Sequence, residues 1–230
     1  MSEDALFYEG YGDFKGYSTP TLKKKHIRRF DKHVWQPAAF SSDMSILEFG
    51  CGTGMFLAYL KAKGITSFVG LDHDAKLAEY LPEGLSEHFL AADIWDYLAD
   101  EKSANQFDRV AFFDVLEHFT VEDGLRLLRS LRGVLKPDGK IVVKVPNVSS
   151  PWGAQYQYGD LTHKVAYTPA SIRQLSEAAG FTCTHCYGHH DGSRGRELTQ
   201  AVLHGFLKRM LAKSPEIWTA DFFAILTPKA

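Results

Sequence analysis

The sequence predicts an α/β protein with one mostly parallel sheet and helices on both of its faces. Short apolar runs at 46–49, 68–72, 88–93 and 107–114 alternate with stretches of helical periodicity through residue 145, the order that builds such a sheet. The first run passes into its helix through Gly50-Cys51-Gly52-Thr53-Gly54, a turn whose glycines let the backbone bend sharply and approach a ligand closely. The 230 residues, 45% hydrophobic and 23% charged, suffice for one such domain with a full core.

Taken in order, residues 1–40 form an N-terminal extension rich in aromatics: Phe7, Tyr8, Tyr11, Phe14 and Tyr17. Gly10, Gly12 and Gly16 are expected to break any helix there. Thr19-Pro20 then opens a helix as cap and first residue. Ile27, Phe30, Val34 and Trp35 give that helix an apolar face, and Lys23, Lys24, Lys25, His26, Arg28 and Arg29 give it a basic one. The extension is either a helix packed on the domain with a solvated basic face or a lid over the ligand. Residues 41–230 make the main domain.

Glu48 stands at the carboxyl end of the first strand, where open α/β sheets bind ligands. The glycine pattern is not the dinucleotide fingerprint, because Met55 occupies the place of its third glycine. A helix over 56–63 stops at Gly64, and the second strand ends at Asp72, placed to accept hydrogen bonds from both ribose hydroxyls of a nucleoside. Asp93 ends the third strand and can cap a helix over 94–99. The fourth strand ends at Asp114, a helix covers 122–134, and Lys136-Pro137-Asp138-Gly139 turns the chain into a fifth strand at 140–147. Residues 146–168 form a long connection on the ligand-binding edge, of the kind that carries function as a substrate loop. A helix over 169–179 stops at Gly180. Residues 195–213 form an amphipathic helix with Leu198, Val202, Phe206, Met210 and Leu211 on one side. Its apolar side serves core or dimer packing, a substrate lid or a membrane-surface contact. Residues 219–227 supply a last, antiparallel strand.

The net charge of −2 gives no global electrostatic case for nucleic-acid binding. No apolar run approaches the ~20 residues that span a membrane, and the acidic start Met1-Ser2-Glu3-Asp4 lacks a signal-peptide pattern, so a cytoplasmic location is expected. Cys183-Thr184-His185-Cys186 falls on a strand, where its two thiols should point to opposite faces, and no metal site is expected.

Glu48-x-Gly50-x-Gly52-x-Gly54 resembles motif I of the class I S-adenosylmethionine-dependent methyltransferases. Asp114-Val115-Leu116-Glu117-His118 closely matches the motif after strand four in their small-molecule subgroup, shared by ubiquinone-type and polysaccharide-type enzymes, and Leu135-Lys136-Pro137-Asp138-Gly139-Lys140 is a further hallmark. Asp160-x-Thr162-His163 followed by Tyr167-Thr168-Pro169 resembles a motif of glycan and polysaccharide-cluster methyltransferases. The resemblance covers roughly residues 44–187. It implies a Rossmann-like fold of seven strands, one of them antiparallel, and S-adenosyl-L-methionine as cofactor. In such a fold Glu48, Gly50, Cys51, Gly52 and Gly54 hold the methionine part, Asp72 with His73 the ribose, and Asp93 with the Ile94 backbone the adenine, with Asp114 beside them.

Methyl transfer from a sulfonium is an in-line displacement, and a hydroxyl acceptor gains from a base. The base is expected to be His163, with Asp160 orienting its ring, or else His118. The expected reaction is O-methylation of a sugar or glycan-biosynthesis intermediate. The alternatives are O-methylation of a quinone precursor or natural-product phenol, and a cofactor-binding partner without turnover. Lys23, Lys24 and Lys25 hint at an anionic acceptor, and a homodimer is possible.

Overall fold

Seven strands pair in the order β3-β2-β1-β4-β5-β7-β6 in the computed structural model, which describes residues 7–8, 10–100, 104–190 and 192–229. The strands are β1 Ser45–Phe49, β2 Ser67–Asp72, β3 Phe89–Ala91, β4 Phe107–Phe113, β5 Leu135–Pro146, β6 Phe181–Gly188 and β7 Asp221–Pro228. Only β7 runs against its neighbours, β5 and β6. The helices are α1 Tyr11–Lys15, α2 Lys24–Phe30, α3 Met55–Ala62, α4 Ile94–Ala99, α5 Val121–Val134, α6 Ala154–Gln157, α7 Pro169–Ala178 and α8 Arg194–Met210. A π-helical turn, Asp31–Trp35, extends α2.

Alternation along the strands makes two cores. In β4, Val110 and Phe112 face Leu127, Leu128 and Leu131 of α5 and Ile172 of α7. Ala111 joins the opposite core, with Phe30 of α2 and Phe56, Leu57 and Leu60 of α3. The chain runs from β1 outward to β2 and β3, then returns to place β4 on the other side of β1. That reversal leaves a crevice at the carboxyl ends of β1 and β4, where such sheets bind ligands.

Several expectations need correction. A short helix, α1, forms despite its glycines: Gly10 precedes it and Gly16 ends it at φ +62. The next helix begins at Lys24 and not at Pro20. The Nδ1 of His26 accepts from the Lys23 backbone N–H, while Tyr17 packs against Tyr80 and Ser18 and Pro20 lie along the main cleft, so tertiary contacts override the Thr19-Pro20 signal. The turn 136–139 is absorbed into β5 as a bulge, because β4 pairs Phe107 with Leu135 and Arg109 with Lys140. The two strand cysteines do not point apart. A bulge between Cys183 and His185 breaks the alternation, the Cys183 thiol donates to the His185 carbonyl, and the two thiols come close enough to shift each other's titration. α8 ends at Met210, and its apolar side is not core: Leu198, Val202, Phe206 and Met210 are all exposed. Among the described residues no helix is long and apolar enough to cross a membrane.

Candidate active site

The crevice is a cleft of about 1790 Å³ whose floor is the glycine turn. Gly50, at φ +64, packs against Val115, and a Cβ there would collide with it. Gly52, at φ +53, has open space above it. Asp72, at the tip of β2, binds the turn: its Oδ2 accepts from Gly52 N–H at 3.0 Å and its Oδ1 from Asp74 N–H at 3.2 Å. His73 Nδ1 is 3.3 Å from Asp72 Oδ1. The carboxylate still has capacity for further donors facing the cleft. Asp93 caps α4 through Trp95 and Asp96 N–H, and Ile94, Trp95 and Phe119 wall the cleft. Trp95 meets Phe119 edge-on at 5.8 Å, and the Arg126 guanidinium carbon lies 4.2 Å from the centre of the Trp95 ring, a cation–π contact. Asp114 lines the same cleft at φ +57, a left-handed conformation that an Asp tolerates.

Glu48 is 4% exposed, and among the described residues its Oε2 has no hydrogen-bond partner. Burial first, and then the Asp72 charge, pushes its carboxyl well above the usual range. Cys51 is buried behind the turn, and burial likewise raises its thiol far above the usual value.

The N-terminal extension forms the opposite wall, with Tyr8, Tyr11, Lys15 and Tyr17. It is tied down at Asp160, which accepts from Lys15 Nζ at 2.8 Å, from Tyr11 Oη at 3.1 Å and from the Thr162 hydroxyl at 2.5 Å. Burial alone would raise the Asp160 carboxyl, but Lys15 and Thr162 outweigh it and hold it below the carboxylate range. Asp160 therefore anchors the extension. It does not orient His163: that ring is held by Nδ1 on the Gln157 carbonyl at 2.9 Å, with Nε2 3.8 Å from Asp160, outside hydrogen-bond range. His163 lines neither cleft. His118 does line the cofactor-side cleft, with Nδ1 2.9 Å from the Thr162 hydroxyl. Burial, then His163, lowers it to about 4 and keeps it neutral.

Glu117, His118 and His163 were not expected to form a set, yet each offers one ligand atom within 4.8 Å of the others, a spacing that could hold a divalent ion. Glu117 is fully buried, and neither of its oxygens is hydrogen-bonded among the described residues.

A second cleft of about 700 Å³ lies across the glycine turn, sharing Gly52, Thr53 and Met55 with the first. Glu48 and Cys51 open on this side. Its walls are aromatic, with Phe30, Phe56, Phe113, Trp152, Trp218 and Phe223. Its polar groups are His33, Lys144, His189 and Asp221, with Arg196, Gln200 and His204 of α8 along one rim. His189 Nδ1 is 2.9 Å from Asp221 Oδ1. Lys144 bridges Asp114 at 2.5 Å and Asp221 at 3.7 Å. Burial alone would raise Asp221, but His189 and Lys144 hold it low. Burial would lower Lys144, but the two aspartates raise it to about 12. Sequence reasoning missed this group because β5, β7, the π-turn and the segment just after β6 each supply one member. The nearest signal was the His189-His190 pair after Cys186. Lys23, Lys24 and Lys25 are exposed and line neither cleft; Arg29 lines the second.

A family model described as a methyltransferase domain matches residues 23–186, more than half of the chain. The chain belongs to this methyltransferase family. Its cofactor is S-adenosylmethionine and its reaction is methyl transfer. Among its relatives, the ubiquinone biosynthesis O-methyltransferase of Actinobacillus pleuropneumoniae is 26% identical over 176 residues, covering 69% of this chain and 74% of that protein. Among solved structures, a SAM-dependent methyltransferase from Archaeoglobus fulgidus superposes with a TM-score of 0.70 at 20% identity, over 97% of this chain and 99% of that one. The 1,6-didemethyltoxoflavin-N1-methyltransferase of Burkholderia thailandensis, solved with 1,6-didemethyltoxoflavin and S-adenosylhomocysteine bound, does so at 0.62 and 15% identity, over 99% and 87%.

The methyltransferase's own residues fit that cofactor. The orphaned Glu48 oxygen beside the turn suits an ammonium, Asp72 suits a diol, and the Ile94–Trp95–Phe119 wall suits a flat base.

Proposed function

We propose that this methyltransferase O-methylates a hydroxyl on an aromatic ring, held in the second cleft. The observation that carries the reading is the aromatic second cleft, which opens onto the first across Gly52, Thr53 and Met55 and contains the Asp221–His189 pair. The ubiquinone O-methyltransferase relatives are compatible with it. A sugar acceptor, expected from the Asp160–His163 segment, is less well served, because Asp160 anchors the extension, the His163 ring is held on the Gln157 carbonyl, and neither lines the second cleft.

In this reading Asp72 holds the ribose hydroxyls of S-adenosylmethionine, Asp93 and the Ile94 backbone hold its adenine, and Glu48 faces its ammonium. Bound, the cofactor supplies an activated methyl group on a sulfonium. The chain's part is to hold the acceptor oxygen in line at near-attack distance. Residues 10–23 act as a lid, with Tyr11 and Lys15 latched on Asp160, and exclude water from the first cleft. His189 takes the hydroxyl proton as the new carbon–oxygen bond forms, and Asp221 stabilises the resulting imidazolium.

The test is methyl transfer from S-adenosylmethionine to a panel of catechols and sugars, comparing wild type with His189→Gln and His163→Gln. Turnover of catechols, with kcat reduced by His189→Gln roughly 100-fold or more and little by His163→Gln, supports the reading. Turnover of sugars alone, or a loss confined to His163→Gln, overturns it.

A further inference from the structure

α8 is amphipathic in the reversed sense. Arg196, Gln200 and His204, one turn apart, face the second cleft, and His204 stacks on Trp218 at 4.8 Å. The opposite side carries Leu198, Val202, Phe206 and Met210, also one turn apart and exposed by 67%, 67%, 61% and 68%. That polar row borders the cleft, with Arg196 and Gln200 exposed and His204 half-buried, while the apolar row is left in solvent and needs something to cover it.

Charge and area narrow what that is. The exposed cations Lys208, Arg209 and Lys213 sit at its carboxyl end, whereas its one acid, Glu197, is held by Lys32 at 2.9 Å. Parallel pairing of two copies would set cations against cations. Antiparallel pairing would set them against the positive helix N-terminus and an acid already neutralised. The face is also small. Seventeen residues make a strip about 25 Å long and 10 Å wide, roughly 250 Å² against the ~800 Å² per partner of a stable interface. An anionic lipid surface satisfies both constraints, since it takes the apolar strip into the acyl boundary and the cations at the headgroups. A second exposed apolar group lies on the same rim: Trp152 and Tyr156 border the second cleft beside α8, 48% and 56% exposed. Such rings favour the membrane interface.

We infer that α8, with Trp152 and Tyr156 beside it, is an interfacial membrane anchor that lays this face of the protein on an anionic bilayer. Docked in this way, the mouth of the second cleft lies at the lipid headgroups. The inference rests on the helix face and not on the identity of the acceptor.

The test is flotation of the full chain with vesicles of phosphatidylcholine alone or mixed with phosphatidylglycerol, at low and high salt, and with sedimentation velocity in parallel. Wild type should float with the phosphatidylglycerol vesicles, and salt should weaken the binding. Lys208→Gln should weaken it roughly fivefold. Val202→Glu/Phe206→Glu should abolish it, with S-adenosylhomocysteine affinity and thermal stability unchanged, since both side chains are exposed. No flotation overturns the inference, as does flotation that survives the double variant. A dimer that the double variant splits, without vesicle binding, assigns the face to a second copy and also overturns it.

Discussion

Glu48→Gln should move stability and cofactor affinity in opposite directions. Glu48 is 4% exposed, stands beside Asp72, and has a buried oxygen with no partner among the described residues. Its folded pKa is raised, so the folded state holds a proton that the unfolded chain gives up near pH ~4.3. The stability tied to this group is therefore fully present below ~4.3 and is lost as pH rises through the folded value. Glutamine keeps the shape and abolishes the ionisation. Ionising a buried carboxyl costs the wild type ~1.4 kcal/mol for each tenfold rise in its proton affinity on folding, a cost glutamine does not carry, and 1 kcal/mol corresponds to ~2–4 °C in a domain of this size. The ligand-free variant should thus melt roughly 2–10 °C above wild type at alkaline pH, and the gap should close as pH falls toward 5. Facing an ammonium, the carboxylate becomes useful. Losing a buried charge-assisted partner costs ~2–5 kcal/mol, so affinity for S-adenosylhomocysteine should fall roughly thirtyfold to several thousandfold. Differential scanning fluorimetry across pH and calorimetric titration read the two effects separately. A variant that is less stable than wild type at alkaline pH, or that binds within twofold of wild type, refutes the reasoning.

Asp72→Ala should abolish measurable calorimetric binding of S-adenosylhomocysteine, and it should also loosen the turn, because Gly52 N–H loses its acceptor. Asp160→Asn should cost about 1.5–3 kcal/mol in urea unfolding at neutral pH, since it removes the charge that Lys15 and Tyr11 share. Asp160 is held low in the folded state, so its contribution is present above ~3.9 and fades on acidification, and the gap to the variant should shrink in step. The stability tied to His33 is lost on acidification too, although here the neutral form is the one favoured: burial, then His189, lowers it to about 4. The unfolded chain protonates it first, so stability should drop as pH falls from ~6.5 toward 4, and His33→Phe, which can keep the stack on Phe223, should flatten that drop. Phe112→Ala, fully buried on the central strand, should cost about 3–5 kcal/mol at an unchanged denaturant slope.

The sequence alone determined the features that local chemistry controls. The short apolar run at 107–114 marked β4 as a strand of a sheet with helices on both faces, and the fold put Val110 and Phe112 on one side and Ala111 on the other. The run Glu48 to Gly54 located the crevice, because left-handed turns at Gly50, Gly52 and Gly54 follow from their lack of a Cβ. Asp72 and Asp93 were legible because strand ends in a parallel sheet share one edge. Tertiary structure decided whatever depends on distant segments meeting. His163 looked like a base paired with Asp160 three residues away. Folding gave Asp160 to Lys15 and Tyr11 and gave the His163 ring to a backbone carbonyl. The Cys183–Cys186 contact needed a bulge that no alternation rule foresees. The second cleft draws on α2, α3, β4, β5, the segment after β6, α8 and β7, and no local spacing encodes such a convergence. The same holds for α8. Its amphipathicity was plain in the sequence, but only the fold showed that the polar row borders the second cleft and the apolar row stays in solvent, because which side of a helix meets the protein depends on what stands opposite it.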